Sequence, residues 1–142
     1  MAFAALPVKA ASLSAGDLIK ASQAAVYYYG SDGGRYAFPN EKTYFTWYSD
    51  FSIVTKITDA ELASLPLKGN VTYRPGVRML KIQTDPKVYA VDAGGTLRWV
   101  VSESAATTLY GNDWNKQVDD ISDAFFINYK TGDPINSAGE FA

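Results

Sequence analysis

The chain has 142 residues, and neither cysteine nor histidine is among them. The first absence removes disulfides, thiolate nucleophiles and Cys-ligated zinc or iron–sulfur sites. The second removes the commonest general base and the commonest transition-metal ligand. An excess of positive charge is also missing. Thirteen Lys and Arg stand against fifteen Asp and Glu, for a formal net charge of −2, so there is no electrostatic footprint for nucleic acid. No apolar run approaches the roughly 20 residues of a membrane-spanning helix. Most templates for catalysis fail on composition alone. A binding or structural protein is expected, with no cofactor and no metal.

Hydrophobic residues make up 47% of the chain and charged ones 20%, which is the composition of a folded domain and not of a disordered tail. The aromatic fraction of 14%, with ten Tyr, seven Phe and three Trp, is the unusual positive feature. A domain this small does not bury twenty rings completely, and exposed Tyr and Trp supply rigid amphipathic contact area at interfaces.

Between an Ala-rich N-terminal arm (residues 1–15) and a C-terminal tail (136–142), the chain repeats itself. Val26-Tyr27 returns as Val88-Tyr89, and Arg35-Tyr36 as Arg98-Trp99. Trp47-Tyr48-Ser49-Asp50-Phe51 returns as Tyr110-Gly111-Asn112-Asp113-Trp114, and Ile57-Thr58-Asp59-Ala60 as Ile121-Ser122-Asp123-Ala124. Two repeat units are therefore expected, 16–76 and 77–135. The arm lacks the basic start and continuous apolar core of an intact secretory signal. It reads as the mature end left after signal removal, or as an arm that pairs with a neighbour.

Local signals agree between the copies. A short apolar stretch (Leu18-Ile19-Lys20 or Met79-Leu80-Lys81-Ile82) precedes a β-rich run, a Gly-bearing turn and a second β run, which together read as a hairpin. Asn40 and Ser102 are good N-cap residues for a helical segment reaching Trp47 or Tyr110. Thr58-Asp59-Ala60-Glu61 is a capping box opening a second short helix that Pro66 stops; Phe125 replaces the Glu in the second copy. An edge-type strand then closes each unit, at Val71–Arg74 and at Pro134-Ile135. The expected fold is α+β and strand-rich: two tandem pseudo-repeats, each a β-hairpin, short helices and a closing strand, packed as one body.

The order Lys87-Val88-Tyr89-Ala90-Val91, Arg98-Trp99-Val100 and Tyr110-Gly111-Asn112-Asp113-Trp114 resembles a repeat of secreted, S-layer-like bacterial surface proteins, including those of candidate phyla. The resemblance covers nearly all of residues 16 to 135. The first copy departs from it with Trp47-Tyr48 in place of Tyr110-Gly111 and Phe51 in place of Trp114. It implies an extracellular, non-catalytic module at the cell surface.

Several residues are candidates for contact with a partner. Arg35 and Arg98 each stand beside an aromatic (Tyr36, Trp99), where they can stack on a sugar or pair across an interface, or fix their own hairpin. Tyr28 and Tyr48 occupy positions where the second copy has Ala90 and Gly111, so the two units are expected to present unlike outer faces. Tyr44, Trp47 and Tyr48 lie at helical spacing, with at least one ring expected to stay exposed. The repeated Asp50/Asp113 and Asp59/Asp123 suit calcium in their ligand type, but no segment has the alternating acidic spacing of a calcium loop. Turn and cap roles account for them. Carboxylate-only glycosidase chemistry lacks an acidic pair in an apolar setting.

Interface or glycan contacts are thus assigned to Tyr28, Tyr48, Trp47, Arg35, Arg98 and Trp99. The expected function is self-assembly or attachment in an envelope layer, with copies of itself or other envelope proteins as partners. The alternative is a carbohydrate-binding module for cell-wall glycan.

Overall fold

The computed structural model describes residues 12–137, Gly139 and Phe141; most of the N-terminal arm lies outside them, as does part of the C-terminal tail. Two compact units are present. One takes the chain up to Glu41 together with Tyr48–Val71, and the other takes Lys42–Trp47 together with the chain from Thr72 onward.

The sheet of the first unit contains β1 (Leu18–Lys20), β2 (Tyr27–Tyr29), β3 (Arg35–Ala37), β4 (Thr55–Lys56) and β5 (Leu67–Asn70), in the order β4-β1-β2-β3-β5. In chain order, α1 (Glu41–Phe45) follows β3 and α2 (Asp59–Ser64) follows β4. The second unit holds β6 (Met79–Ile82), β7 (Tyr89–Asp92), β8 (Thr96–Trp99), α3 (Glu103–Tyr110), β9 (Val118–Ile121), α4 (Asp123–Phe126) and β10 (Lys130–Thr131). Its sheet runs β9-β6-β7-β8-β10, the same order read element for element. In both, the three central strands are antiparallel and both edge strands are parallel to their neighbours. The protein is strand-rich α+β, and the two sheets repeat one topology.

Local chemistry explains the element ends. The Thr58 side chain accepts from the Glu61 N–H while the Glu61 carboxylate accepts from the Thr58 N–H, a complete capping box, and Pro66 follows directly after the last turn. Ser102 caps α3 by accepting from the Ala105 N–H at 3.1 Å, and α3 stops at Gly111, whose φ of +92° suits glycine. With Phe125 in place of the Glu, Ser122 still accepts from the Ala124 N–H.

Both faces of the second sheet are covered. Met79 and Ala90 point to one face, where Ala105 and Ala106 of α3 pack with Val100 and Ile135. Leu80, Tyr89, Val91, Leu97 and Ile121 point to the other, with Tyr73 and with Phe126 of α4 against them. Adjacent residues are therefore buried together, as in Met79-Leu80 and Tyr89-Ala90-Val91, and the strands read as continuous apolar runs instead of alternating ones. Full burial of a side chain such as Leu80 or Leu97 contributes about 1.5–3 kcal/mol. In the first unit, Leu18, Ile19, Ala21 and Ile57 are the buried apolar residues, and half-buried tyrosines supply much of the remaining packing.

The backbone revises the sequence reading at four points. The closing strands lie earlier than expected, at Leu67–Asn70 and Lys130–Thr131; Val71 and Ile135 continue the pairing through N–H bonds to the carbonyls of Ala37 and Trp99. Pairing starts as soon as α2 ends, because the Arg35 N–H already bonds the Pro66 carbonyl. The edge strands β4 and β9 went unread: Thr55-Lys56 and Val118-Asp119-Asp120-Ile121 are short and largely polar, with no alternation to mark them.

Register also separates the two arginines. Tyr29 pairs with Arg35, whereas the matching Val91 pairs with Leu97, so Arg98 is the counterpart of Tyr36. A one-residue slip moves a side chain to the opposite face. Finally, Gly33 has a φ of +82° but Gly34 does not share the left-handed conformation. Gly34 is needed for space, since a Cβ there would lie 2.2 Å from Lys68 Cγ.

Tyr73 anchors the second core through a polar network. Its phenol donates to Asp119 Oδ2 at 2.7 Å, and its N–H donates to the Tyr129 phenol oxygen at 2.9 Å. Arg78 closes the group on Asp119, at 3.1 Å from Nε and 3.0 Å from Nη2. Burial pushes the Tyr110 and Tyr129 phenols up to about 12, and pushes Tyr73 up further with help from its bond to Asp119.

Two predictions follow from this architecture. Gly33→Ala meets no neighbouring atom, so its cost is the backbone term alone, about 1 kcal/mol. Denaturant unfolding measures it, and an unchanged midpoint refutes the left-handed assignment. The raised phenols predict alkaline sensitivity: the folded state holds protons that unfolded tyrosines release near pH 10. Stability is full below about pH 10 and falls as pH climbs toward 12, read as unfolding midpoint against pH.

Candidate functional site

The residues singled out in the sequence fall into separate groups. In the first unit, Tyr28 and Tyr36 are cross-strand partners whose rings meet edge to face at 6.5 Å and 65°. Phe38 and Tyr48 meet likewise at 6.2 Å and 76°. Burial, and secondarily the nearby Tyr28, raise the Tyr48 phenol above its ordinary value. Tyr28 is thus half-buried in an aromatic contact. Its counterpart Ala90 lies fully inside a core, because in the second sheet this face is covered.

Arg35 and Arg98 serve their own sheets. Arg35 lies over the Tyr27 ring at 4.6 Å and donates from Nε to the Leu65 carbonyl at 2.9 Å. Arg98 pairs with Asp92 at 3.3 Å and donates from Nε to the Asp133 carbonyl at 3.0 Å. Each guanidinium links the hairpin to the segment that closes its unit, although the two lie on opposite faces of equivalent strands. Trp47 is 38% exposed; its indole N–H donates to the Thr72 carbonyl at 2.8 Å and Arg74 lies 6.0 Å from its ring.

Asp50, Asp59 and Asp123 of the repeated aspartates hold neighbouring segments, whereas Asp113 makes no side-chain cap bond. Asp59 accepts from the Ser22 N–H at 3.0 Å and from the Ser22 hydroxyl at 2.8 Å, joining α2 to the loop after β1. The second copy repeats the tether, with the Thr84 hydroxyl on Asp123 at 3.3 Å. Asp50 accepts from the N–H and hydroxyl of Ser52 in a turn. Hydrogen bonds from Ser22, led by its backbone N–H, hold the Asp59 carboxyl below the ordinary aspartate range. Among the described residues no three acidic side chains gather as a metal site, and no helix is long and apolar enough to cross a membrane.

Among the described residues, the second unit contains a pair of cavities of different size. The larger, about 460 Å³, is lined by Gln83, Thr84, Asp120 and Asp123 among others; Asp120 pairs with Lys81 at 3.4 Å and Asp123 is taken by Thr84, so its carboxylates are engaged. The smaller, about 200 Å³, has Trp99, Trp114, Pro86 and Val88 in its wall, with Ser102 and Glu103 at the start of α3. Of these only Trp99 was assigned from the sequence as a contact residue. The signal for Trp114 was present, as Phe51 holds its place in the first copy, while nothing local ties Glu103 to two indoles. Lys87 places its ammonium 5.2 Å from the centre of the Trp99 ring.

Comparison of the chain with protein-family models, with curated proteins and with solved structures finds no match. The class is therefore defined by architecture alone: a strand-rich α+β protein in which two sheets share one strand order.

Asp59→Ala is expected to lower the unfolding midpoint near neutral pH. Because the folded carboxyl titrates below the unfolded one, its contribution is present above the unfolded aspartate range and is lost as pH falls through the folded value. Wild type and variant should converge in acid; a constant offset at all pH values would assign the effect to something other than the Ser22 tether.

Proposed function

We propose that this is a non-catalytic, secreted cell-surface module that assembles with copies of itself or attaches to other proteins in a bacterial envelope layer. The observation that carries the reading is the pair of open borders on each sheet. Every unit ends in short parallel strands, β4 and β5 or β9 and β10, whose outer sides pair with no other strand among the described residues. Open strand edges are templates for pairing with another chain. Leu67, at the start of β5, is 58% exposed, so one border also carries apolar surface.

Other features agree with this reading. Ile53 and Ile127 are 59% and 85% exposed, held outward beside short capped elements. Asp59 and Asp123 act as tethers, and Arg35 and Arg98 as hairpin clamps. The extracellular location rests on the resemblance of the repeat to S-layer-like surface proteins.

Light scattering against concentration tests the proposal. Wild-type protein is expected to associate as concentration rises, and Leu67→Lys to weaken association while leaving the unfolding midpoint nearly unchanged, since a charge on an edge strand blocks pairing. A wild-type chain that stays monomeric throughout would overturn the reading.

A further inference from the structure

The smaller cavity of the second unit carries an inference that does not depend on assembly. We propose that it binds a single neutral sugar ring, the terminal or exposed pyranose of a glycan. At about 200 Å³ it is smaller than the 300–1,000 Å³ pockets that enclose drug-sized ligands, so its occupant is one ring and not an extended chain.

The polar groups around it define the chemistry. Among the described residues, the indole N–H groups of Trp99 and Trp114 and the carboxylate of Glu103 have no hydrogen-bond partner. Ser102 accepts from the Ala105 N–H, which leaves its hydroxyl proton to donate. The residues lining the cavity thus bring donors and an acceptor together with the apolar Pro86 and Val88. A matching ligand needs a C–H face for the apolar side and hydroxyls that both donate and accept. A pyranose has both. A free anion would meet the Glu103 carboxylate, and a purely apolar group would make no use of that exposed carboxylate or of the indole N–H groups.

The comparison between copies supports a dedicated site. Trp99 corresponds in register to Ala37, and Trp114 corresponds in the repeated motif to Phe51. The scaffold residues recur, whereas both indoles occur only in the second copy. Residues that differ on a shared framework are where a separate binding function resides.

The test is titration of the intact chain with N-acetylglucosamine, glucose and galactose, followed by tryptophan emission and calorimetry. At least one sugar is expected to give saturable binding with a shift in emission. Glu103→Ala and Trp114→Phe should each weaken that binding by about tenfold, in keeping with loss of a hydrogen bond in the site; Trp114→Phe restores the first copy's residue and is expected to fold. Trp47→Phe should leave binding intact. The proposal falls if no sugar saturates, if Trp47→Phe removes the signal instead, or if a proline-rich peptide saturates the site where sugars do not. Self-association without sugar binding would refute this inference alone, and sugar binding by a strict monomer would refute the assembly reading alone.

Discussion

Parallel pairing at both borders of each sheet is the constraint from which the rest of the structure follows. A parallel neighbour cannot be reached through a tight turn; the chain must cross over the sheet. After β8 the chain must travel past β7 and β6 to lay β9 beside β6, then return to lay β10 beside β8. The second unit makes these two passages on opposite faces. On the first, α3 covers Met79 and Ala90; on the second, α4 brings Phe126 against Tyr89. The sheet is thereby enclosed on both sides by short helices, and adjacent residues of its central strands, such as Met79-Leu80 and Tyr89-Ala90-Val91, are buried together.

That topology also explains why a repeated backbone carries unlike side chains. Pairing order and direction depend on backbone hydrogen bonds and on caps such as Thr58, Ser102 and Ser122, which are retained or replaced in kind. Packing on each face depends on volume. Where Ala90 lies under the small residues of α3, the first copy has Tyr28 in an edge-to-face pair with Tyr36. The arginines show the same separation: their role in clamping a hairpin to its closing segment recurs, while their positions in register do not. The tether from α2 or α4 to the loop after the first strand recurs in both role and position, with Ser22 on Asp59 and Thr84 on Asp123.

Function follows from what this scaffold leaves unsatisfied. Edge strands leave backbone donors and acceptors, and the cavity at the start of α3 leaves two indole N–H groups and a carboxylate. The first is a property of the repeated topology and suits a partner met through main-chain pairing. The second belongs to one copy and suits a small polar ligand. In the functions proposed above, the two features serve assembly and glycan contact without requiring either to depend on the other.

Much of the fold was legible in the sequence because its determinants are local. The Gly-bearing turns, the N-caps, the capping box with Pro66 behind it and the recurrent aromatic order are set by residues within a few positions of one another, and each marks an element that is present. The absence of histidine and cysteine likewise narrows the chemistry before any fold is known. What the sequence left undecided depends on residues distant in the chain. Parallel edge strands such as Thr55–Lys56 carry no periodic signal, since their pairing with β1 is made by backbone groups that every residue has. The face on which Arg35 or Arg98 lies changes with a single step in register, which motif matching does not resolve. The cavity joins Pro86, Trp99, Glu103 and Trp114 only after β7, β8 and α3 have packed. Local propensity and pattern determined the elements; long-range hydrogen bonding and close packing decided which side chains meet.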